Sequence, residues 1–263
     1  MRKSILGLSA VAFVAFAAPA MAEEASDDLG LKITGGAAVV SDYRFRGISQ
    51  SDEDFAIQGN FTVAHESGLY VGVWGSSNTL PSGQGTEIDV IAGFAKEVLP
   101  GVTADIGATY YVYPNKLQIL AANELIEPFV SLSGSVGPVW AKVGFAYAPE
   151  QDYYIGVNGQ NTDAAYVWGD ASVNIPNTPI KLKGHLGWSS SNAFRGLLTD
   201  GVDSSSNYLD YSVGADVSWK ALTFGVSFVG TDVPTRYGRE SLVGAGNLLA
   251  ADNALVFSVG ASF

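Results

Sequence analysis

The chain has 263 residues, a length that suits one large domain and that all-β barrels commonly use as a single unit. Charged residues make up only 15% of it, its formal net charge is −12, and it contains no cysteine. The acidic balance argues against nucleic acid as a partner, because such binding requires neutralisation of phosphates, and the lack of cysteine excludes disulfides, thiolate metal sites and cysteine nucleophiles.

The first elements along the chain are those of a secretory signal peptide. Arg2 and Lys3 form a basic segment, residues 5–18 an apolar segment, and Ala20-Met21-Ala22 a small-x-small cleavage site. The apolar segment is too short to span a bilayer, and no later run of about 18 or more apolar residues follows it. We therefore predict a signal peptide over residues 1–22 and a single exported domain over residues 23–263.

Alternation of apolar and polar residues begins at Leu29. From there to residue 46 the odd positions are mainly apolar and end with Tyr43 and Phe45. The charged residues of this segment all occupy even positions: Lys32, Asp42, Arg44 and Arg46. Period-two alternation predicts a strand with one apolar face, and we expect Tyr43 and Phe45 to lie on that face.

The same alternation recurs along the rest of the chain in segments of about ten residues, the length that a tilted strand needs to cross a bilayer. These segments are residues 55–63, 69–73, 88–94, 102–110, 126–132, 139–147, 167–175, 180–188, 209–219, 222–228 and 255–263. With the first strand they make twelve, an even number. We therefore predict an all-β fold, a transmembrane antiparallel up-and-down β-barrel.

Charge divides between the two faces of these strands, because almost every charged residue at mid-strand lies opposite the apolar face. An outward Arg or Lys at mid-depth in lipid costs roughly 2–4 kcal/mol, so this division predicts an apolar outside and a charged lumen. A soluble barrel would have the reverse arrangement. The candidate lumen or constriction residues are Asp42, Arg44, Arg46, Glu87, Asp89, Asp105, Glu127, Lys142, Lys181, Lys183 and His185.

Connection lengths also alternate along the chain. The short connections are residues 65–68, 99–101, 137–138, 176–179 and 220–221, and the longer ones are 48–54, 76–85, 114–123, 149–163, 190–207 and 230–252. Outer-membrane barrels combine tight periplasmic turns with long external loops. We therefore predict a bacterial outer-membrane location, with outer-membrane lipids and lipopolysaccharide as neighbours.

Three stretches carry a resemblance to known barrels. SDYRFRGISQSDEDFAIQG, beginning at Ser41, and HESGLYVGVWGS, beginning at His65, closely resemble the N-terminal signature of the TorF family of porins. The C-terminal LVFSVGASF resembles the strand ending in Phe that the barrel-assembly machinery of Gram-negative bacteria recognises, which implies a contact through Phe263. The resemblance implies a small outer-membrane barrel that acts as a passive pore, and its signature carries no catalytic residue.

The role of the lumen charges stays open at this point. Glu87 and Asp89 are consecutive inward positions, roughly 7 Å apart along a strand, and they could bind a cation or act as acid and base. Since a lone buried charge is expensive, compensating ion pairs across the lumen are the default expectation. The functional interpretation is a charged constriction in which Arg44 and Arg46 face Glu87, Asp89 and Asp105.

Three functions fit these residues. The leading hypothesis is passive diffusion of small hydrophilic solutes, and the second is a barrel closed by its own lumen ion pairs that acts through its external loops. The third, an outer-membrane hydrolase, needs a serine with a histidine base. The histidines are His65, in a predicted turn, and His185, which faces the lumen two inward positions before Ser189. We favour a non-enzyme, and the sequence contains no motif for a metal or a cofactor.

Overall fold

A computed structural model describes residues 29–80, 83–114, 124–155, 160–191, 206–233 and 251–263. The predicted signal peptide and most residues of the longest predicted connections lie outside these ranges. No helix in the described ranges is long and apolar enough to cross a membrane.

The described residues form strands joined by turns. In chain order these are β1 (Leu31–Val40), β2 (Arg44–Phe45), β3 (Ile48–Ser49), β4 (Ala56–His65), β5 (Leu69–Leu80), β6 (Gly83–Leu99), β7 (Val102–Val112), β8 (Glu124–Val136), β9 (Val139–Ile155), β10 (Asn161–Asn174), β11 (Ile180–Ser191), β12 (Asn207–Trp219), β13 (Leu222–Thr231) and β14 (Ala254–Ser262). All except β2 and β3 belong to one closed barrel. The predicted twelve-stranded antiparallel barrel is therefore confirmed.

The barrel closes where the last strand pairs with the first. β1 pairs with β4 on one side and with β14 on the other, both antiparallel. Gly35 and Phe263 exchange two backbone hydrogen bonds of 2.9 Å. A Cβ on Gly35 would lie only 2.7 Å from the ring of Phe263, so glycine here lets the terminal aromatic ring lie across the seam.

The outward face of the wall is apolar, as predicted. Exposed aliphatic and aromatic side chains occupy alternate positions of the barrel strands, among them Ile57, Val71, Ile106, Val143, Leu186, Val213 and Phe257. At the end of the barrel opposite the short turns, outward tyrosines hydrogen-bond to the neighbouring strand or connection: Tyr110 to Glu124, Tyr147 to Asp163 and Tyr211 to Asn253. Tyrosine, with an apolar body and a polar tip, suits this border between lipid and water.

The short connections lie at one end of the barrel, and each contains a residue with positive φ. These residues are Gly68, Gly101, Gly137, Asn177 and Lys220. Positive φ allows the tight reversal between neighbouring antiparallel strands. The predicted short turns are confirmed.

Two predicted long connections are wrong in part. β5 continues to Leu80 and β6 begins at Gly83, so most of residues 76–85 is strand, with Asn78 still paired to Gly85. β9 likewise continues to Ile155. Backbone pairing continues beyond the apolar belt without needing an apolar face, so hydrophobic alternation could not detect these extensions.

The first strand is shorter than predicted and changes the position of the residues that follow it. β1 ends at Val40, and residues 41–54, called here the lumen hairpin, fold into the barrel and contain β2 and β3. Tyr43 is buried and Phe45 is half-buried. Their predicted lipid-facing position is wrong, because the chain has left the wall before it reaches them.

Candidate functional site

The lumen hairpin turns at Arg46 and Gly47. Arg44 pairs with Ser49 and Phe45 with Ile48, which leaves Arg46 and Gly47 as a two-residue loop. Their φ values are 49° and 80°. Positive φ at both central positions is the requirement of the type I′ hairpin turn, so this turn projects Arg46 from the tip.

Hydrogen bonds inside the hairpin centre on Asp42. Its carboxylate accepts from Nε of Arg44 at 2.6 Å, from Oγ of Ser49 at 2.6 Å and from Oγ of Ser51 at 3.3 Å. The backbone N–H of Tyr43 donates to Oγ of Ser51 at 2.9 Å. The Asp42–Arg44 pair therefore stabilises the hairpin itself.

Three contacts tie the base of the hairpin to the wall. Ser41 N–H donates to the carbonyl of Phe257 on β14 at 2.8 Å, and Thr79 N–H on β5 donates to the carbonyl of Gln50 at 2.8 Å. Nη1 of Arg44 donates to the carbonyl of Asp252, just before β14. The hairpin is thus anchored on one side to β14, which neighbours β1, and on the other side to β5, which lies two strands from β1.

Aromatic side chains of the wall form the seat of the hairpin. The Tyr43 ring lies 5.3 Å from the ring of Trp74 on β5, and the Phe45 ring meets the edge of Tyr111 on β7 at 6.0 Å. These apolar contacts explain why Tyr43 and Phe45 turn inward: each finds an aromatic partner in the lumen.

The hairpin tip is held by Arg46. Nη2 of Arg46 lies 2.7 and 2.6 Å from the two carboxylate oxygens of Glu127 on β8. The guanidinium carbon lies 4.0 Å from the centre of the Tyr166 ring on β10, a cation–π contact. Tyr111 donates a 3.2 Å hydrogen bond to Glu127. Arg46 and Glu127 are 5% and 4% exposed, so this is a buried ion pair.

Gly47 fits the tip against two further strands. A Cβ at this position would lie 2.4 Å from Cγ2 of Thr231 and 3.0 Å from Cβ of Asp210. We call Glu127, Tyr166, Asp210 and Thr231 the tip dock. Around the barrel, β8 and β10 each lie five strands from β1, in opposite directions. The hairpin therefore crosses the lumen from β1 to the far wall.

Glu87 and Asp89, called here the acidic pair, occupy successive inward positions of β6 and are 1% and 0% exposed. Tyr113 donates a 3.0 Å hydrogen bond to Oε1 of Glu87. Among the described residues, neither oxygen of Asp89 has a hydrogen-bond partner. Burial raises the pKa of Tyr43, which lies outside the spanning strands, and the charges of Glu87 and Asp89 raise it further.

The arginine pairing differs from the predicted one. Arg44 pairs with Asp42 at 2.6 Å and approaches Glu53 at 3.7 Å, and Arg46 pairs with Glu127. The ion pairs of the described residues do not join either arginine to Glu87, Asp89 or Asp105. The reason is the inward fold of the hairpin, which carries both arginines away from the wall position that a longer β1 would have given them.

His185 lies between two carboxylates. Its Nδ1 lies 2.7 Å from Asp170 and its Nε2 lies 3.0 Å from Asp210 and 2.9 Å from the Tyr166 hydroxyl. Ser189 occupies a later inward position of the same strand, β11. Both ring nitrogens of His185 are thus engaged by groups other than Ser189, and the serine–histidine pair of the hydrolase hypothesis is not formed.

The basic residues of the wall lie nearer the short turns. Lys183 binds Asp216 at 2.6 Å. Lys142 is buried and aligned with Asp170 on the neighbouring strand, while Lys181 is aligned with Asp216. Asp105, also on the short-turn side, accepts a 2.8 Å hydrogen bond from Tyr70. His185, which binds both Asp170 and Asp210, connects this group of charges to the tip dock.

The candidate residues chosen for their charge omit the aromatic part of the site. Trp74, Tyr111 and Tyr166 contact the hairpin, and Cβ of Asp210 lies 3.0 Å from the place that a Cβ on Gly47 would take. Period-two alternation contains the signal that finds them, because each lies one position from an outward apolar residue. The prediction of a polar lumen took no account of aromatic residues at inward positions.

A sequence model of one bacterial family, described as "Bacterial protein of unknown function (Gcw_chp)", matches residues 24–263. The chain belongs to the Gcw_chp family. No curated protein matches it.

Two solved porins are similar to this Gcw_chp barrel. The NanC porin in a rhombohedral crystal form has a TM-score of 0.55 and 13% identity, and the alignment covers 88% of this chain and 99% of that chain. The KdgM porin has a TM-score of 0.52 and 6% identity, covering 88% of this chain and 98% of that chain. At these identities the likeness shows the fold alone, which is that of an outer-membrane porin barrel.

Proposed function

We propose that this Gcw_chp protein is a porin of the bacterial outer membrane through which small hydrophilic solutes diffuse passively. The observation that carries the proposal is a closed barrel with an apolar outside and a charged lumen crossed by the hairpin. The resemblance of residues 41–76 to the TorF porins supports the same function.

The lumen hairpin would be the constriction of this pore. The positive charge of Arg46 at the tip and the negative charges of the acidic pair on β6 would set a field across the lumen, which slows apolar solutes. With the hairpin seated, Glu87 and Asp89 are at most 1% exposed. Passage at this level therefore requires the tip to leave its dock.

Membrane insertion of the barrel would follow the usual outer-membrane route. The predicted signal peptide would direct export, and the exposed ring of Phe263 at the end of β14 would face the barrel-assembly machinery. Outer-membrane lipids and lipopolysaccharide would contact the apolar belt. The porin needs no cofactor for this function.

A second candidate is a permanently closed barrel that acts structurally or through its external loops. The buried Arg46–Glu127 pair favours it, because breaking such a pair by removing one partner costs about 3–5 kcal/mol. The two candidates differ in one respect: whether the hairpin leaves its dock while the barrel stays folded.

Single-channel recording in planar bilayers separates them. We expect wild-type protein to give conductance steps, and Arg46→Ala and Glu127→Gln to raise the open probability about tenfold or more, because each leaves a buried charge unpaired when the hairpin is seated. Lys220→Ala is the matched control, since it removes a positive charge from an exposed short turn. It should conduct like the wild type.

Folding is checked in each sample before recording, by the shift in electrophoretic mobility on heating. Absence of conductance from folded wild type and from both folded variants would reject the porin and favour the closed barrel. Equal conductance in all four proteins would reject the hairpin as the constriction.

A further inference from the structure

We propose that the tip dock is a binding site for solutes that carry a guanidinium group, and that Arg46 is the barrel's own occupant of this site. The inference rests on the proposed porin function, and it names the class of solute that the pore favours. A solute of this class would compete with Arg46 and so release the hairpin that blocks its path.

The dock has the chemistry that a guanidinium group needs. Glu127 supplies a carboxylate with both oxygens directed at one guanidinium nitrogen, and Tyr166 supplies an aromatic face 4.0 Å from the guanidinium carbon. A guanidinium is planar and weakly hydrated, so it combines an ion pair with stacking better than an ammonium does. Tyr111 orients Glu127 by its 3.2 Å hydrogen bond.

The dock is held in place by the wall and not by the hairpin. Tyr166 donates to Asp210 at 3.1 Å and lies 2.9 Å from Nε2 of His185, which in turn binds Asp170. These contacts connect β10, β11 and β12. If Arg46 leaves, the groups that contact it remain positioned for another guanidinium.

The charge of the surrounding wall favours cations over anions. On the loop side of the barrel, the described wall residues directed into the lumen include four buried carboxylates, Glu87, Asp89, Glu127 and Asp210, and no lysine or arginine. Within the described residues, Oε2 of Glu87, both oxygens of Asp89 and Oδ2 of Asp210 accept no hydrogen bond. Arg46 pairs with Glu127, and His185 lies 3.0 Å from Asp210. The ion pairs of the described residues do not include Glu87 or Asp89, so a further cation would be stabilised here and an anion repelled.

Competition between Arg46 and a free solute sets the expected affinity. Because Arg46 is tethered to the barrel, its effective concentration at the dock is in the millimolar range or above. A guanidinium solute therefore binds weakly to the wild type and opens it in a concentration-dependent way. Removal of the arginine side chain should expose the full affinity of the dock.

The test uses guanidinium chloride at low millimolar concentration on folded full-length barrels, with sodium chloride at equal ionic strength as the reference salt. We expect Arg46→Ala to bind guanidinium about tenfold more tightly than either the wild type or the double variant Arg46→Ala with Glu127→Gln. Binding is read from a rise in the thermal unfolding midpoint in detergent, which does not depend on conduction. Arg46→Gln replaces Arg46→Ala if the alanine variant does not fold.

Bilayer recording of the same variants gives the second readout. In Arg46→Ala, guanidinium should produce interruptions of the current that are absent in the double variant and in sodium chloride. Equal responses of the two variants, or of the two salts, would overturn the guanidinium site even if both variants conduct. A midpoint shift without conduction in any variant would uphold the site and reject the porin.

Discussion

Two glycines with similar backbone angles show what a single residue contributes to the hairpin. Gly47 and Gly101 have φ values of 80° and 77°. A Cβ on Gly47 would lie 2.4 Å from Cγ2 of Thr231, whereas a Cβ on Gly101 would meet nothing within 4 Å. The two positions therefore share the backbone requirement for glycine, and only Gly47 also needs the empty space.

Substitution by alanine separates these two effects. Gly47→Ala and Gly101→Ala should each lose about 1–2 kcal/mol through the left-handed backbone, and overpacking should add about 1–3 kcal/mol at Gly47. The overpacking at residue 47 destabilises the hairpin only while its tip lies in the dock. Gly47→Ala should therefore raise the open probability in single-channel recordings, while Gly101→Ala leaves it unchanged. An equal effect of both substitutions would contradict the packing of Gly47 against Thr231.

At the scale of the element, the lumen hairpin is the part of the fold that alternation could not predict. Tyr43 and Phe45 occupy odd positions, as the outward residues of β1 do, and Arg44 occupies an even position, as the inward residues do. Odd or even position in the sequence predicts which side chains share a face of a strand. It does not predict the residue at which the chain leaves the wall of the barrel. The barrel strands were predictable because lipid selects apolar residues along their whole outward face.

A signal for the hairpin was nevertheless present in the sequence. Arg46-Gly47 stands between two short segments with alternating apolar residues, and a glycine at the second position of a two-residue loop is typical of a hairpin turn. The pairing of Arg46 with Glu127 had no such signal. It depends on how far the tip reaches across the lumen, which only the three-dimensional arrangement of β8 and the hairpin determines.

Cysteine labelling tests the seating of the hairpin directly, since the natural chain has no cysteine. Ile48 is buried beside Tyr208 and Asp54 is exposed. We expect a charged thiol reagent to modify Ile48→Cys at least about tenfold more slowly than Asp54→Cys, because modification of residue 48 requires local opening. Addition of Arg46→Ala should accelerate only the reaction at residue 48. Fast labelling of both positions in an otherwise natural chain would show that the hairpin is not seated.

At the scale of the whole molecule, charge is arranged by height in the barrel. Four carboxylates lie on the loop side, those of the acidic pair, Glu127 and Asp210. Nearer the short turns, Lys183 pairs with Asp216, and Lys142 and Lys181 are aligned with carboxylates of neighbouring strands. Inward positions were predictable from the sequence, since charge avoids lipid. The separation of the loop-side carboxylates from the lysines near the short turns was not predictable. It depends on the register of each strand and on the hairpin, which brings Arg46 among the loop-side carboxylates.

This arrangement predicts a preference for cations. In a salt gradient, the reversal potential of the wild type should indicate cation selectivity, and Glu87→Gln combined with Asp89→Asn should move it toward zero, because two carboxylates leave the loop-side lumen. Glu97→Gln, on the exposed end of β6 near a short turn, is the control and should leave the potential unchanged. An unchanged potential in the double variant would mean that permeating ions do not pass the acidic pair.

The attachment of the hairpin to β14 also has a consequence for biogenesis. Ser41 bonds to Phe257 and Arg44 to the carbonyl of Asp252, contacts that join residues more than 200 positions apart in the chain. Long-range contacts of this kind form late, since the entropy of closing so large a loop must first be overcome. The hairpin can therefore complete its anchoring only after the C-terminal strand has arrived, so the event that closes the wall of the barrel also fixes the hairpin across its lumen.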